Sequence, residues 1–223
     1  KRGVFDTLDR LADANAVIAS NTSELDIFPL VPEARQSRAV IAHWYTPPYI
    51  IDLVEVAPGP KTDPSVVDEL GNFYCSIGKK PVCFDRLIPG YIANRIQAAV
   101  SLEVFNMLDQ GWATPKMIDD SIRYGLALRW ALLGHIRKAD YAGVPMALNS
   151  QRNKSYVPPD VTGRSKTLEA LVEAGHHGVL TGKGFYDYGD EPATKLFRDR
   201  DLRLLALKQS FDKIYEETGD DES

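Results

Sequence analysis

Short apolar runs separated by polar turns fill the first third of the chain. Ala16–Ala19, Ala39–Ala42 and Asp52–Val56 read as buried strands, and Lys80–Phe84 as a fourth. Between the last two, Pro64 to Ile77 reads as a helix, with Asp63 as N-cap, Pro64 at the first helical position and Gly78 as the stop. Ahead of all these, Val4, Leu8 and Leu11 fall on one helical face with Phe5 beside them. That helix reads as starting partway through, so the N-terminus is read as a cut or missing segment. Strands alternating with covering helices point to an α/β layer.

Beyond Pro89-Gly90 the period changes from strand to helix. Tyr91 to about Gln110 contains no breaker, and Ile92, Ile96, Ala99, Val100, Val104 and Leu108 recur at helical spacing. A helix of that length runs ~30 Å. Thr114 and Pro115 start another helix that runs to about Tyr124. Trp130 to Tyr141 is a weaker one, interrupted by Gly134, and Ser165–Ala174 and Thr194–Glu217 follow. Asn149 to Gly163 reads as a surface connection, and the tail from Gly219 to Ser223 as frayed. The fold class is therefore α/β followed by an all-α portion, with domains over residues 1–88 and 89–223.

Composition narrows the function classes. The 223 residues carry a net charge of −5, and no basic cluster with interleaved aromatics marks a nucleic-acid surface. No apolar run approaches the ~20 residues that a membrane span needs, and no apolar segment at the start reads as a signal peptide. The two cysteines, Cys75 and Cys83, fit no metal spacing. They read as packing residues in a reducing compartment, so a cytoplasmic location is expected and a metal is not.

Candidate chemistry centres on His43 and Glu55. His43 stands where a buried strand gives way to the Pro47-Pro48 turn, at a strand end where open α/β sheets carry their sites. Glu55 lies among Leu53, Val54 and Val56, where an unpaired carboxylate would be costly. Neighbouring strands would bring the two together as a general base and its orienting partner. Glu55 could instead pair with a Lys or Arg, or face solvent on an edge strand. Ser20-Asn21-Thr22-Ser23 reads either as a helix N-cap run, with Ser23 as the cap, or as a ligand contact. Asn94 lies one turn into the long helix, near the domain junction. Thr181-Gly182-Lys183-Gly184-Phe185-Tyr186 lacks the spacing of a phosphate loop and reads as a turn packing two aromatics.

Taken together, these motifs resemble the L-3-hydroxyacyl-CoA dehydrogenase family. The stretches that carry the resemblance are S-N-T-S at 20–23, H-W-Y-T-P-P at 43–48, L-V-E-V at 53–56 and G-K-K-P-V at 78–82. P-G-Y-I-A-N-R at 89–95, the helix start from Thr114 to Asp119, and T-G-K-G-F-Y-D-Y at 181–188 complete the set in family order. The resemblance implies the C-terminal portion of a Rossmann-type NAD-binding domain followed by a helical domain that carries a homodimer contact. It implies His43 as the catalytic base, Glu55 as its partner, Asn94 as a third catalytic residue, Ser23 and Asn94 as substrate contacts, and Lys1, Ser23 and Thr46 near the cofactor, NAD. The substrate would be a small molecule, a 3-hydroxyacyl-CoA or a 3-hydroxy acid.

Departures from the family pattern carry their own expectations. The opening β-α-β unit with its Gly-rich turn is absent, so this chain alone is expected to hold NAD poorly. Thr46 stands where the family has an asparagine, Leu180 where a lysine is common, and His135 follows Gly134 where many members have proline. The Pro47-Pro48 pair and Gly125–Trp130 are more similar to branches that oxidise small free hydroxy acids such as gulonate or carnitine. A non-catalytic relative resembling lambda-crystallin is the alternative.

Overall fold

The structure, a computed structural model, describes residues 1–154 and 156–218; the tail beyond Thr218 lies outside the described residues. The chain divides into two compact units, Lys1–Gln97 and Ala98–Ser223.

The first unit is built on a four-stranded mixed sheet. Strands β1 (Ile18–Ser20), β2 (Ala39–Trp44), β3 (Leu53–Pro58) and β4 (Lys80–Cys83) lie in that spatial order. β1 and β2 are parallel, β2 and β3 antiparallel, and β3 and β4 parallel. The central strands are buried on both faces, which is why β2 and β3 read as apolar runs, interrupted only by His43 and Glu55. Their alternation still sorts side chains by face. Ala39 and Ile41 join Ala57, Phe5, Ile18, Ile27, Phe28, Phe84 and Tyr91 on one side. Val40, Ala42, Val54 and Val56 join Val66, Val67 and Tyr74 on the other.

Helix α1 (Arg2–Leu11) and helix α2 (Pro64–Ser76) use their sequences differently. α2 starts as expected: the Asp63 carboxylate accepts from the Ser65 amide, Pro64 sits in the first turn, and Gly78 ends the helix with φ of 77°. Its buried Val66, Val67 and Tyr74 cover the second face of the sheet. In α1 only Phe5 is buried, and the Val4, Leu8 and Leu11 stripe is exposed. α1 is tied down instead at its C-terminal end. The buried Arg35 guanidinium donates to Asp9 Oδ1 at 2.8 Å and to the carbonyls of Asp9, Ala12 and Asp13. The Asp9 carbonyl lies in the last turn, where helical partners run out, and those of Ala12 and Asp13 just follow it; a cation there also opposes the negative end of the helix dipole.

Both cysteines are free and exposed, so neither is the core residue the sequence suggested, although the Cys83 sulfur is partly covered. Cys83 lies on an edge strand whose burial pattern is mostly open, and its Sγ would meet a side chain added at Gly71. Burial lifts its thiol ionisation above the ordinary range.

The second unit is helical. α3 (Ala93–Asp109), whose first turn belongs to the first unit, leads to α4 (Pro115–Asp120), a π-helical turn over Ser121–Ala127, and α5 (Leu128–Leu133). α6 (Ile136–Ala142), α7 (Val144–Asn153), α8 (Lys166–Glu173) and α9 (Ala193–Thr218) follow. Thr114 caps α4 through its hydroxyl, and Gly134, at φ of 64°, separates α5 from α6. The expectation of a surface connection from Asn149 is corrected over its first residues: α7 runs to Asn153, started by Pro145 in its first turn. The Asp109 carboxylate at the end of α3 accepts from Ser165 Oγ and from the Lys166 and Thr167 amides, fixing the start of α8. Those bonds hold its carboxyl below the usual range, the Thr167 amide being the main cause.

The Thr181–Tyr186 segment is the aromatic-packing turn read from the sequence. Phe185 stacks on Phe105 with ring centroids 6.2 Å apart, and the Tyr186 hydroxyl donates to Asp119 at 2.7 Å. Gly184 allows this turn, because a Cβ there would meet Gly178 Cα at 2.8 Å. No helix among the described residues is long and apolar enough to cross a membrane.

Candidate active site

The antiparallel register of β2 and β3 pairs His43 directly with Glu55. Residues directly opposite in such a pair share a face, so the imidazole and the carboxylate meet without help from a loop. Both continue the alternation of Ile41 and Ala57 and sit at the end of the first core face. His43 Nδ1 lies 3.3 Å from Glu55 Oε2, and the residues are 5% and 1% exposed.

A carboxylate buried this deeply is satisfied here by donors. Glu55 Oε1 accepts from the backbone amides of Ile92 and Ala93, both at 3.0 Å. Oε2 accepts from the Tyr45 hydroxyl at 2.7 Å. The two amides lie at the start of α3, where the helix has unpaired N–H groups and the positive end of its dipole. The alternatives of a Lys or Arg partner, or of an exposed edge position for Glu55, do not occur. With Nδ1 donating to a carboxylate, the imidazole presents an unprotonated Nε2 as acceptor. Nε2 has no hydrogen-bond partner among the described residues.

Two tyrosines frame the imidazole. Tyr45 approaches it edge-on at 4.7 Å, and Tyr91 lies 4.9 Å away on a tilted ring. Burial is the main reason the Tyr45 ionisation is pushed well above its ordinary value, with the Glu55 hydrogen bond second. Burial first, and the Glu55 charge next, push Tyr91 up to about 12. Both phenols therefore stay protonated across the physiological range. Tyr91 is 1% exposed, and its hydroxyl donates to the Thr22 carbonyl at 2.6 Å. It reaches that position at φ of 52°, directly after Gly90 at 75°. This break delays α3 to Ala93, where the sequence suggested a start at Tyr91.

The Ser20–Ser23 segment follows the carboxyl end of β1, next to that of β2. Asn21 Oδ1 accepts from the Trp44 amide at 3.0 Å, and the Tyr91 bond to Thr22 supplies a second tie. Thr22, not Ser23, caps the following turn by accepting from the Leu25 amide, and no helix begins there. Ser23 itself is exposed and makes no hydrogen bond among the described residues. Asn94 sits in the first turn of α3, and its backbone amide reaches the Tyr45 hydroxyl.

Thr46 is exposed in the turn between β2 and β3, beside the cis Thr46-Pro47 bond. Lys79 braces that turn by donating to the carbonyls of Pro48 at 2.7 Å and Ile51 at 3.1 Å, with its ammonium 5.6 Å from the Trp44 ring centre. Lys1 is exposed at the start of α1, and no side-chain contact joins it to His43. The structure thus brings His43, Glu55 and Asn94 into one cluster, tethers the Ser23 segment to it, and leaves Lys1 and Thr46 without direct contact.

Three features were missed in the sequence: the Tyr45 hydroxyl, Tyr91, and the amides of Ile92 and Ala93. Tyr45 was within reach, since residues 43 and 45 share a face at strand period. The amides were not, being 37 and 38 positions from Glu55 with no side-chain signal. For a nicotinamide cofactor the donor chemistry fits. Exposed neutral hydroxyls, Ser23 and Thr46, follow the carboxyl ends of β1 and β2, which is the edge where open α/β sheets bind nucleotides. Among the described residues, no cluster of three or more His, Cys, Asp or Glu could hold a metal ion.

Comparison with known proteins identifies the family of the chain. Residues 1–87 match the family model "3-hydroxyacyl-CoA dehydrogenase, NAD binding domain", and residues 90–188 match "3-hydroxyacyl-CoA dehydrogenase, C-terminal domain". A 3-hydroxyacyl-CoA dehydrogenase of Gibberella moniliformis is 38% identical over 219 residues, 97% of this chain and 63% of the relative. An L-carnitine dehydrogenase of Streptomyces griseus is 41% identical over 144 residues, covering 64% of this chain and 43% of its own. The solved structure of 5-formyl-3-hydroxy-2-methylpyridine 4-carboxylic acid 5-dehydrogenase, an NAD+ dependent dismutase, superposes with a TM-score of 0.85 at 27% identity. That match covers 95% of this chain and 69% of that one. The chain therefore spans less than two thirds of the length of the Gibberella relative. With both family models matched in order, the chain belongs to the 3-hydroxyacyl-CoA dehydrogenase family.

Proposed function

We propose that the protein is an NAD-dependent dehydrogenase that oxidises the 3-hydroxyl of a 3-hydroxyacyl-CoA or a small 3-hydroxy acid, with His43 as general base. The observation that carries this reading is the His43–Glu55 pair: Nδ1 faces a buried, fully hydrogen-bonded carboxylate, and Nε2 remains available as acceptor.

In the oxidation, Nε2 of His43 takes the proton of the substrate hydroxyl as C3 releases a hydride and becomes a carbonyl carbon. NAD, when bound, supplies the hydride acceptor. Glu55 keeps the proton on Nδ1 in the resting state and stabilises the imidazolium that forms. The same imidazolium returns the proton to the carbonyl oxygen in the reverse direction. Ser23 and Asn94 position the reacting oxygen or the neighbouring carbonyl, and such alignment supplies much of the rate in reactions of this kind. Ser23, Thr46 and Lys1 are proposed for the nicotinamide end of the cofactor. The functional division between the portions lies near Pro89, giving 1–88 and 89–223. Gly90 and Tyr91 leave the right-handed region there, and the two family models meet across 87–90.

The test is turnover by the full coding product, with any residues encoded upstream of Lys1 included. NADH oxidation is expected with acetoacetyl-CoA or with small 3-keto acids. Absence of turnover on both substrate classes would remove the dehydrogenase reading.

Homodimerisation through the helical portion completes the proposal. Trp112, Tyr124, Leu128, Ile136 and Tyr141 are each more than two-thirds exposed, far more apolar surface than a solvated helical unit ordinarily leaves open. A dimer is expected in sedimentation at micromolar concentration; a monomer under those conditions would contradict it.

A further inference from the structure

The two oxygens of Glu55 are loaded unequally. Oε1 is held by the Ile92 and Ala93 amides at 3.0 Å each, so the carboxylate cannot turn to offer it elsewhere. Both remaining partners must share Oε2. Tyr45 Oη lies 2.7 Å from it and His43 Nδ1 3.3 Å. The first distance is that of a full-strength O–H···O bond, while the second is beyond the usual range for N–H···O. The phenol, not the imidazole, holds the closer position on the shared oxygen.

We propose that Tyr45 is a positioning residue of the site, which by donating to Glu55 Oε2 keeps the His43–Glu55 hydrogen bond long and limits how strongly the imidazole is held. This rests on the dehydrogenase reading for its purpose, but on the distances alone for its existence. A donor on an anionic oxygen withdraws charge from the other bonds to that oxygen. With Tyr45 in place, Glu55 orients His43 and stabilises its protonated form without drawing the Nδ1 proton to itself. That suits a base that must return its proton when the reaction runs backwards.

The arrangement is well defended. The raised ionisation of Tyr45 keeps its hydroxyl a donor. Its ring stands edge-on to the imidazole at 4.7 Å, so a change at the phenol is felt across a short path. Tyr91 cannot substitute, since its hydroxyl is committed to the Thr22 carbonyl.

The experiment is nitrogen-15 NMR of His43 in the chain itself, reading the Nδ1 proton and, through the carbon-bound ring protons, the Nδ1 shift. The second reading does not depend on proton exchange. In Tyr45→Phe the ring remains and the competing donor is gone. The His43–Glu55 bond should shorten and the Nδ1 proton should move downfield. With 3-fluorotyrosine at position 45, a stronger donor, the resonance should move upfield. Opposite shifts from the two replacements support the proposal. No shift, or a shift in the same direction from both, overturns it. A mere packing role would predict no opposition between them. Because the signal is read without turnover, its failure leaves the dehydrogenase reading standing, and failure of turnover leaves this result interpretable.

Discussion

His43→Gln is expected to lower kcat by at least ~10²-fold, the lower end of what a positioned general base contributes. Glutamine has no group that accepts and returns a proton near neutral pH, while its size lets it keep a hydrogen bond to Glu55. Tyr45, Ile92 and Ala93 would still satisfy the carboxylate, so the fold should persist. The loss should fall on kcat with KM little changed, because the imidazole acts on the proton in flight and not on the body of the substrate. A kcat near that of the unaltered enzyme would show that another group is the base.

Glu55 carries the second large effect, and two substitutions separate its roles. Glu55→Ala leaves the Tyr45 hydroxyl, the His43 Nδ1 proton and the Ile92 and Ala93 amides without their acceptor in a buried setting. At about 1 kcal/mol for each of the Tyr45 and two amide donors, the cost is on the order of 3 kcal/mol. For a unit the size of Lys1–Gln97, that corresponds to a fall in Tm on the order of 15 °C. Glu55→Gln is milder for stability and worse for chemistry. Its amide oxygen can still accept from the α3 amides, but its nitrogen would face His43 and donate to Nδ1. The imidazole would then carry its proton on Nε2 and could not act as base. A kcat loss between ~10² and ~10⁴-fold is expected, since an inverted tautomer in a comparable triad costs ~10⁴. Calorimetry and steady-state kinetics check the two together. A stable, active Glu55→Ala would contradict both.

Much of this site was legible because it follows from strand alternation. Pro47-Pro48 implied a turn between two apolar runs, which set His43 and Glu55 on neighbouring strands. Their shared face then depended on register, which the structure supplies. The N-cap and stop of α2 and the capped start of α4 were equally local and equally readable. The membership of the family was carried by motifs in order, and both family models match.

What could not be read depends on distant parts of the chain. The amides that bind Glu55 belong to backbone 37 and 38 positions away, and any residue but proline could have supplied them. The Arg35 clamp on α1 joins a guanidinium to backbone carbonyls, which leave no mark in a sequence. Thr22 stands as the cap in place of Ser23, and its carbonyl is held by Tyr91, a partner 69 positions away. The π-helical turn at Ser121–Ala127 is similarly silent, since it runs on from α4 into α5 and its wider hydrogen-bond pattern has no residue signature. Cys83 was misread because β4 is an edge strand, and edge position is a property of the sheet; Cys75 lies on an exposed position of α2.

The central claim is that a hydride leaves C3 of a 3-hydroxy substrate for NAD while His43 takes the hydroxyl proton. The most direct measurement is the fate of deuterium from a substrate labelled at C3, using the full coding product and mass analysis of the cofactor. The account predicts deuterium in the reduced nicotinamide, with transfer lost in His43→Gln. Reduced cofactor without the label, or label transferred equally well without His43, would contradict it.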